Sequence, residues 1–173
     1  MALDLQEINE ADEAEFVVLA EFLVENSPWV LTKIARHRPF VSASALCDAI
    51  ETEIRVASSA DQLRLFLAHP ELAGAEAQAG TMTTESTGEQ GRLGLTSLSA
   101  AEHSRLKSFN AEYLDRFGFP FIVALRHQTD RAAVFELFER RLRNTVDEEI
   151  QNTISEIMHV VRGRADRIKF NRN

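Results

Sequence analysis

A single cysteine, Cys47, means that no disulfide can close within this chain and that no cysteine-rich zinc site can be built. Glycine and proline are also scarce, seven and four in 173 residues, which favours helices over a turn-rich β architecture. Basic residues are outnumbered, 19 Lys and Arg against 27 Asp and Glu, for a formal charge of −8. Nucleic-acid binders present a broad basic face, so that class is disfavoured, and an anionic substrate would need a local cation. No apolar run approaches the ~20 residues needed to span a bilayer. The acidic start, Met1-Ala2-Leu3-Asp4-Leu5-Gln6-Glu7, lacks the basic-then-apolar layout of a signal peptide. The last residues, Lys169-Phe170-Asn171-Arg172-Asn173, are not a peroxisomal Ser-Lys-Leu tripeptide, and the expected location is the cytoplasm.

The chemistry-bearing absences are as informative. Among the histidines His37, His69, His103, His127 and His159 there is no His-x-His or His-Glu-x-x-His pair to put two zinc ligands on one face. A phosphate-cradling glycine loop, a nucleophile elbow and a dinucleotide fingerprint are missing too. Chemistry without a metal or cofactor is therefore what the residues by themselves permit.

What is present is a run of amphipathic helical patterns. Hydrophobic content of 45% and charged content of 27% describe an ordinary globular protein, and the length suits one domain. Asn9 is a candidate first cap, with Phe16, Leu19, Ala20 and Leu23 facing inward. Ser27-Pro28 reads as cap and first helical residue, with Trp29 and Ile34 as buried anchors. Arg36 and Arg38 read as surface arginines, with contact to an anionic ligand as the alternative. Ser42 or Ser44 starts a helix on which Leu46, Ile50 and Ile54 recur; Cys47 in this run reads as a small core residue. Ser58 or Ser59 starts another, with Leu63, Phe66 and Leu67 as its face. Pro70 disfavours helical geometry at His69, so this helix ends just before the histidine. The helix dipole then tends to raise the imidazole's pKa, and burial opposes it.

Further on, Ser99-Ala100-Ala101-Glu102 has capping-box spacing and leads a face of Leu106, Phe109, Tyr113 and Phe117, closed by Gly118. Phe119 to Leu125 is a short apolar run with no second strand to pair with, and reads as buried extended chain. Thr129 or Asp130 opens the next helix, with Val134, Leu137, Phe138 and Leu142 inward. Thr145 to Glu148 is a second capping box, before Ile150, Ile154, Ile157 and Val161. The expectation is an all-α fold, one domain over residues 1–173 with its core at about 8–168, of about seven or eight helices.

Between the patterned segments lies a stretch without a clean period, from His69 to Gln90. It gathers an imidazole, a carboxylate, an amide and hydroxyls, the usual composition of a site carried on a rigid scaffold. Taken alone, His69 reads as a satisfied histidine ending a helix and Glu89 as a solvated loop glutamate. His103 and His159 read as surface or boundary residues. Arg126, after the apolar run, is the expected cation of a site, since a guanidinium fork suits a carboxylate or ureido group.

The order of these residues carries a resemblance. His69-Pro70-Glu71-Leu72-Ala73-Gly74, then Ser86-Thr87-Gly88-Glu89-Gln90, then Phe117-Gly118-Phe119-Pro120-Phe121-Ile122 resembles the OHCU decarboxylase family, from about Leu19 to Ile168. Ser27-Pro28-Trp29-Val30 and Arg38-Pro39-Phe40 fit its opening helices. The resemblance implies cofactor-free decarboxylation of 2-oxo-4-hydroxy-4-carboxy-5-ureidoimidazoline (OHCU) to (S)-allantoin in urate breakdown. It implies His69 as the signature catalytic residue, with Glu89 as its partner. Ser86 and Gln90 would bind substrate, and Arg126 matches a basic position of the family, although His127 follows it where many members have glycine. Pro70, Phe119 and Ile122 would shape the wall, with backbone groups from Ile122 to Ala124 facing the ring. A homodimer is implied, with urate oxidase and hydroxyisourate hydrolase as pathway neighbours. The competing class is a non-enzymatic helical interaction module. A metal-dependent ureide hydrolase is disfavoured by the missing ligand spacing.

Overall fold

Short polar side chains start most of the helices. In the computed structural model, which describes residues 3–169, Asp4 caps α1 (Leu5–Glu10) and Asp12 caps α2 (Glu13–Ala20). In both, a glutamate three positions on reaches back to the cap's own N–H. Helix α3 (Pro28–Ile34) begins on its proline, without a side-chain bond from Ser27. Ser42 caps α4 (Ala43–Val56) and Ser58 caps α5 (Ser59–Leu67). Then come α6 (Ala75–Ala79), α7 (Thr84–Arg92) capped by Thr83, and α8 (Ala100–Phe117) with the Ser99–Glu102 capping box. Asp130 caps α9 (Arg131–Arg141), and Thr145 and Glu148 exchange hydrogen bonds at the head of α10 (Val146–Ala165). Gly118, at φ 79°, takes the left-handed turn that ends α8.

The architecture is mainly α, as expected, but with ten α-helices rather than about seven or eight, and with a single two-residue parallel pair, Leu3–Asp4 against Ile168–Lys169, among the described residues. Residues 119–125 are buried throughout, and from Pro120 to Ala124 they form neither helix nor strand. No helix among the described residues is long and apolar enough to cross a membrane. Met1, Ala2 and Phe170 to Asn173, on which the readings of the two ends partly rest, lie outside the described residues.

Among the described residues, packing divides the chain into two compact units, one of residues 3–68 with 158–169 and one of His69–Ile157. In the first, Phe16, Leu23, Leu31, Ile34, Leu46, Ile50 and Ile54 form the core. Cys47 is buried with them, and desolvation pushes its thiol up to about 11, so it is an inert packing residue. Several local expectations change here. Asn9 does not cap a helix. It lies inside α1, where its amide donates to the Phe40 carbonyl at 2.9 Å and accepts the Phe40 N–H at 2.7 Å. Arg38 is a half-buried brace rather than a surface residue: Nε donates to Ala35 O at 2.9 Å, Nη1 donates to Ala11 O, and the guanidinium lies 4.7 Å from the Phe16 ring centroid. Trp29 is only half-buried, beside the Lys33 ammonium, and Val30 and Leu31 take the inward positions. On α5 the buried pair is Leu65 and Phe66; Leu63 and Leu67 are exposed.

The reciprocal Asn9–Phe40 pair links α1 to the turn before α4 with two hydrogen bonds that alanine cannot replace. Leaving partly buried backbone groups unmade costs about 1–3 kcal/mol. Asn9→Ala should therefore lower the unfolding free energy by about 2 kcal/mol, read as a shifted urea midpoint.

The second unit is centred on Tyr113, whose ring meets Phe117, Phe119, Phe121 and Phe138. Buried beside it is an ion pair that the hydrophobic pattern does not announce. Arg141 Nη2 lies 2.9 Å from Glu149 Oε2, with both side chains almost fully enclosed. The Tyr113 hydroxyl also donates to Glu149, and Asn144 and Asn152 donate to its other oxygen.

Candidate active site

The segment after α5 turns because Pro70 follows His69, and the second unit begins at His69 itself. His69, Pro70 and Glu71 are half-buried, and Leu72, Ala73 and Gly74 are buried. Ala73 has φ 48°, a left-handed conformation that costs a residue with a Cβ about 1–3 kcal/mol and persists only where its surroundings enforce it. Gly74 is required by space: a Cβ there would lie 2.7 Å from the Glu71 Cβ. Burial, with help from the nearby Glu76 charge, raises the Glu71 carboxyl above its ordinary value.

Two carboxamides hold this turn. Gln90 Oε1 accepts the Ala73 N–H at 2.8 Å, and its Nε2 donates to the Glu71 carbonyl at 3.3 Å. From α8, Asn110 Nδ2 donates to the Leu72 carbonyl at 2.9 Å. Gln90 is 3% exposed and Asn110 6%, so water does not compete for these bonds.

The second motif lies on a helix, where the sequence pattern suggested a loop. Ser86, Glu89 and Gln90 all belong to α7 and share one face by their i, i+3, i+4 spacing. Ser86 and Gln90 are buried and Glu89 is half-buried. Thr83 supplies the cap that allows the helix to start. Two helical glycines, Gly88 and Gly91, and the lack of apolar residues hid it from the periodicity. Helix α7 packs on the 3-10 turn Leu125–His127, where Arg92 donates to the carbonyl of Leu125 and, at 3.3 Å, to that of Gln128.

In the third motif Phe119, Ile122 and Ala124 are all buried. The Ile122 carbonyl accepts from Arg141 Nη1 at 2.6 Å, and the Ala124 N–H donates to Glu156 Oε2 at 2.8 Å. Both backbone groups are thus engaged by protein side chains, and the cation buried against this segment is Arg141. Arg126 and His127 are exposed on the turn. His103 is half-buried, its Nε2 2.9 Å from Gln78 Nε2, and His159 is exposed. Among the described residues no three His, Cys, Asp or Glu side chains gather as metal ligands would.

The structure thus joins the first motif to the second through Gln90. Four holding residues escaped the sequence reading: Asn110, Arg141, Glu149 and Glu156. Asn110 had a legible signal, an amide four residues after Leu106 and three before Tyr113 on an otherwise apolar helical face. Glu156 had none.

Comparison with known proteins shows which family the chain is similar to. A sequence model described as OHCU decarboxylase matches residues 9–166. The mouse 2-oxo-4-hydroxy-4-carboxy-5-ureidoimidazoline decarboxylase is 35% identical over 158 residues, 91% of this chain and 88% of the mouse protein. Among solved structures, an (S)-allantoin synthase superposes with a TM-score of 0.74 at 23% identity, over 96% of this chain and 54% of the other. An OHCU decarboxylase crystallised in the presence of (S)-allantoin gives 0.67 at 21% identity, over 90% and 96%. At those identities the structures speak for a shared fold, and the sequence match speaks for descent. A match spanning nearly the whole chain, with the three motifs in order inside it, makes this protein a member of the OHCU decarboxylase family.

Proposed function

We propose that this protein is a carboxy-lyase that converts OHCU to (S)-allantoin and CO2, with His69 managing the proton and Glu89 as its partner. The observation that carries the reading is the Gln90 clamp, which holds the His69-Pro70-Glu71-Leu72-Ala73-Gly74 turn against the helix bearing Ser86 and Glu89. Two polar sequence motifs with no reason to meet in a purely structural helical domain are thereby fastened side by side. The family match over residues 9–166 supports treating the stretch of about 8–168 as one functional domain.

The chemistry suits such a site. In OHCU the carbon bearing the carboxylate and hydroxyl adjoins a ring C=N. When the carbon–carboxylate bond breaks, its electron pair runs into that C=N, CO2 departs, and the ring nitrogen takes a proton. The resulting enol then ketonises, the hydroxyl losing a proton while the carbon bearing the ureido group gains one. The substrate thus supplies its own electron sink, the part that a bound cofactor plays in many decarboxylases. What the protein must provide is orientation and a proton delivered to one face. His69 sits by the hydroxyl and carboxylate, and Glu89 fixes the substrate and tunes the histidine. Ser86 and Arg126 contribute polar contacts to the ureido and ring edges, Gln90 acts through the turn it clamps, and Pro70, Phe119, Ile122 and Ala124 form the wall. The enzyme works as a homodimer in the cytoplasm, after urate oxidase and hydroxyisourate hydrolase.

The test is circular dichroism of allantoin formed from urate by those two enzymes, with and without this protein. One-handed allantoin should accumulate at a rate proportional to the added protein. Racemic product at an unchanged rate would refute the reading and leave the helical interaction module in its place.

A further inference from the structure

We infer that Asn110 is a positioning residue for the reaction, acting through the backbone of the turn that carries His69. The inference rests on the decarboxylase reading given above. Asn110 lies on the buried face of α8 between Leu106 and Tyr113, where an apolar side chain would pack without a polar group to satisfy. Its Oδ1 is enclosed and accepts no hydrogen bond among the described residues. A polar group kept at such a place has its purpose in the other half of the amide, which donates to the Leu72 carbonyl.

That carbonyl lies between the two groups held by Gln90. Together the two carboxamides fix Glu71 C=O, Leu72 C=O and Ala73 N–H, one backbone group on each of three successive residues. The left-handed Ala73 is at the end of this run, so the clamp holds a turn that would otherwise relax. His69 stands two residues before Glu71, and the intervening Pro70 has its φ fixed by its ring. Little freedom remains between the clamped backbone and the imidazole. Asn110 thus sets where the imidazole sits without touching substrate.

Two variants test this, each compared with wild type in the allantoin assay. Asn110→Leu keeps the branched shape and the number of side-chain heavy atoms and removes the donor. In the folded protein its kcat should fall about tenfold to a hundredfold, the usual consequence of misplacing a reacting group by about 1 Å, while KM moves far less. Asn110→Asp can donate only while its carboxyl is neutral, so its kcat should fall with rising pH along a limb that wild type lacks. This second variant, assayed from about pH 5 upward, also serves if Asn110→Leu fails to fold. A purely structural asparagine would alter thermal stability in both variants and leave the kcat of folded enzyme, with its pH profile, as in wild type. That result overturns the inference alone. A wild-type protein that forms no (S)-allantoin overturns the decarboxylase reading, and this inference with it.

Discussion

His69→Ala should lower kcat/KM for (S)-allantoin formation by about 10²–10⁴-fold, the range that a well-placed acid–base group contributes. Product that still forms should lose its handedness, because protonation would then come from solvent on either face. The substitution is also a clean one. His69 is half-buried on a turn, outside any helix, and the backbone of residues 71–73 is held by Gln90 and Asn110, which the substitution leaves in place. The variant should therefore fold, and thermal unfolding within a few degrees of wild type would confirm that the loss is chemical. Near-wild-type turnover with one-handed product would remove His69 from the mechanism.

The largest loss of stability is expected from Glu149→Gln. Its carboxylate is fully enclosed and faces Arg141 on two atoms, with Nε at 3.2 and 2.9 Å from the two oxygens. Burial by itself would raise the Glu149 carboxyl. The hydrogen bonds and charge of Arg141, with the Tyr113 hydroxyl and the Asn152 amide, outweigh it and hold the carboxyl below its ordinary value. Removing the negative charge leaves a guanidinium buried without its counter-ion, a change that costs about 3–5 kcal/mol. For a protein of this size the melting temperature should fall by on the order of 10 °C.

The same pair gives a pH dependence with a definite sign. A carboxyl whose folded pKa is depressed stabilises the native state fully above its unfolded pKa, about 4.3 for glutamate. That stability is lost as pH falls through the lower, folded value. Wild type should therefore weaken below about pH 4, and Glu149→Gln should show a shallower acid limb from a lower starting stability. The double variant Arg141→Met with Glu149→Leu should recover much of the loss, because apolar residues of similar volume often replace a buried pair at little cost. A double variant no more stable than Glu149→Gln would show that the pair is not the source of the effect. Arg141 also holds the Ile122 carbonyl, so recovered stability need not bring recovered activity.

Local chemistry was legible in the sequence where it acts over one helical turn. The capping boxes at Ser99 and Thr145, the left-handed Gly118 and the helix stop before His69-Pro70 are each decided by residues within four positions of one another. The buried run after Gly118 was legible too, because seven apolar residues in succession leave no face for water. Family membership was readable for a different reason: three short motifs kept their order and spacing.

The pattern gave way where several local answers were equally good. Leucines at 63, 65 and 67 alternate, so no helical face stands out, and packing buries Leu65 with Phe66 instead of Leu63 with Leu67. Asn9 and Asp12 both suit a cap, and Asn9 was taken by the backbone of Phe40, 31 positions away. Around the candidate site the deciding contacts join Gln90 to Ala73 across 17 positions, Asn110 to Leu72 across 38 and Arg141 to Ile122 across 19. Composition and spacing determine which segments become helices, where they start and stop, and which short motifs carry the chemistry, because caps, turns and apolar stripes are local. Only the tertiary structure decides which buried amide or guanidinium meets which backbone carbonyl, because that pairing depends on the distance between helices and on which groups water can no longer reach.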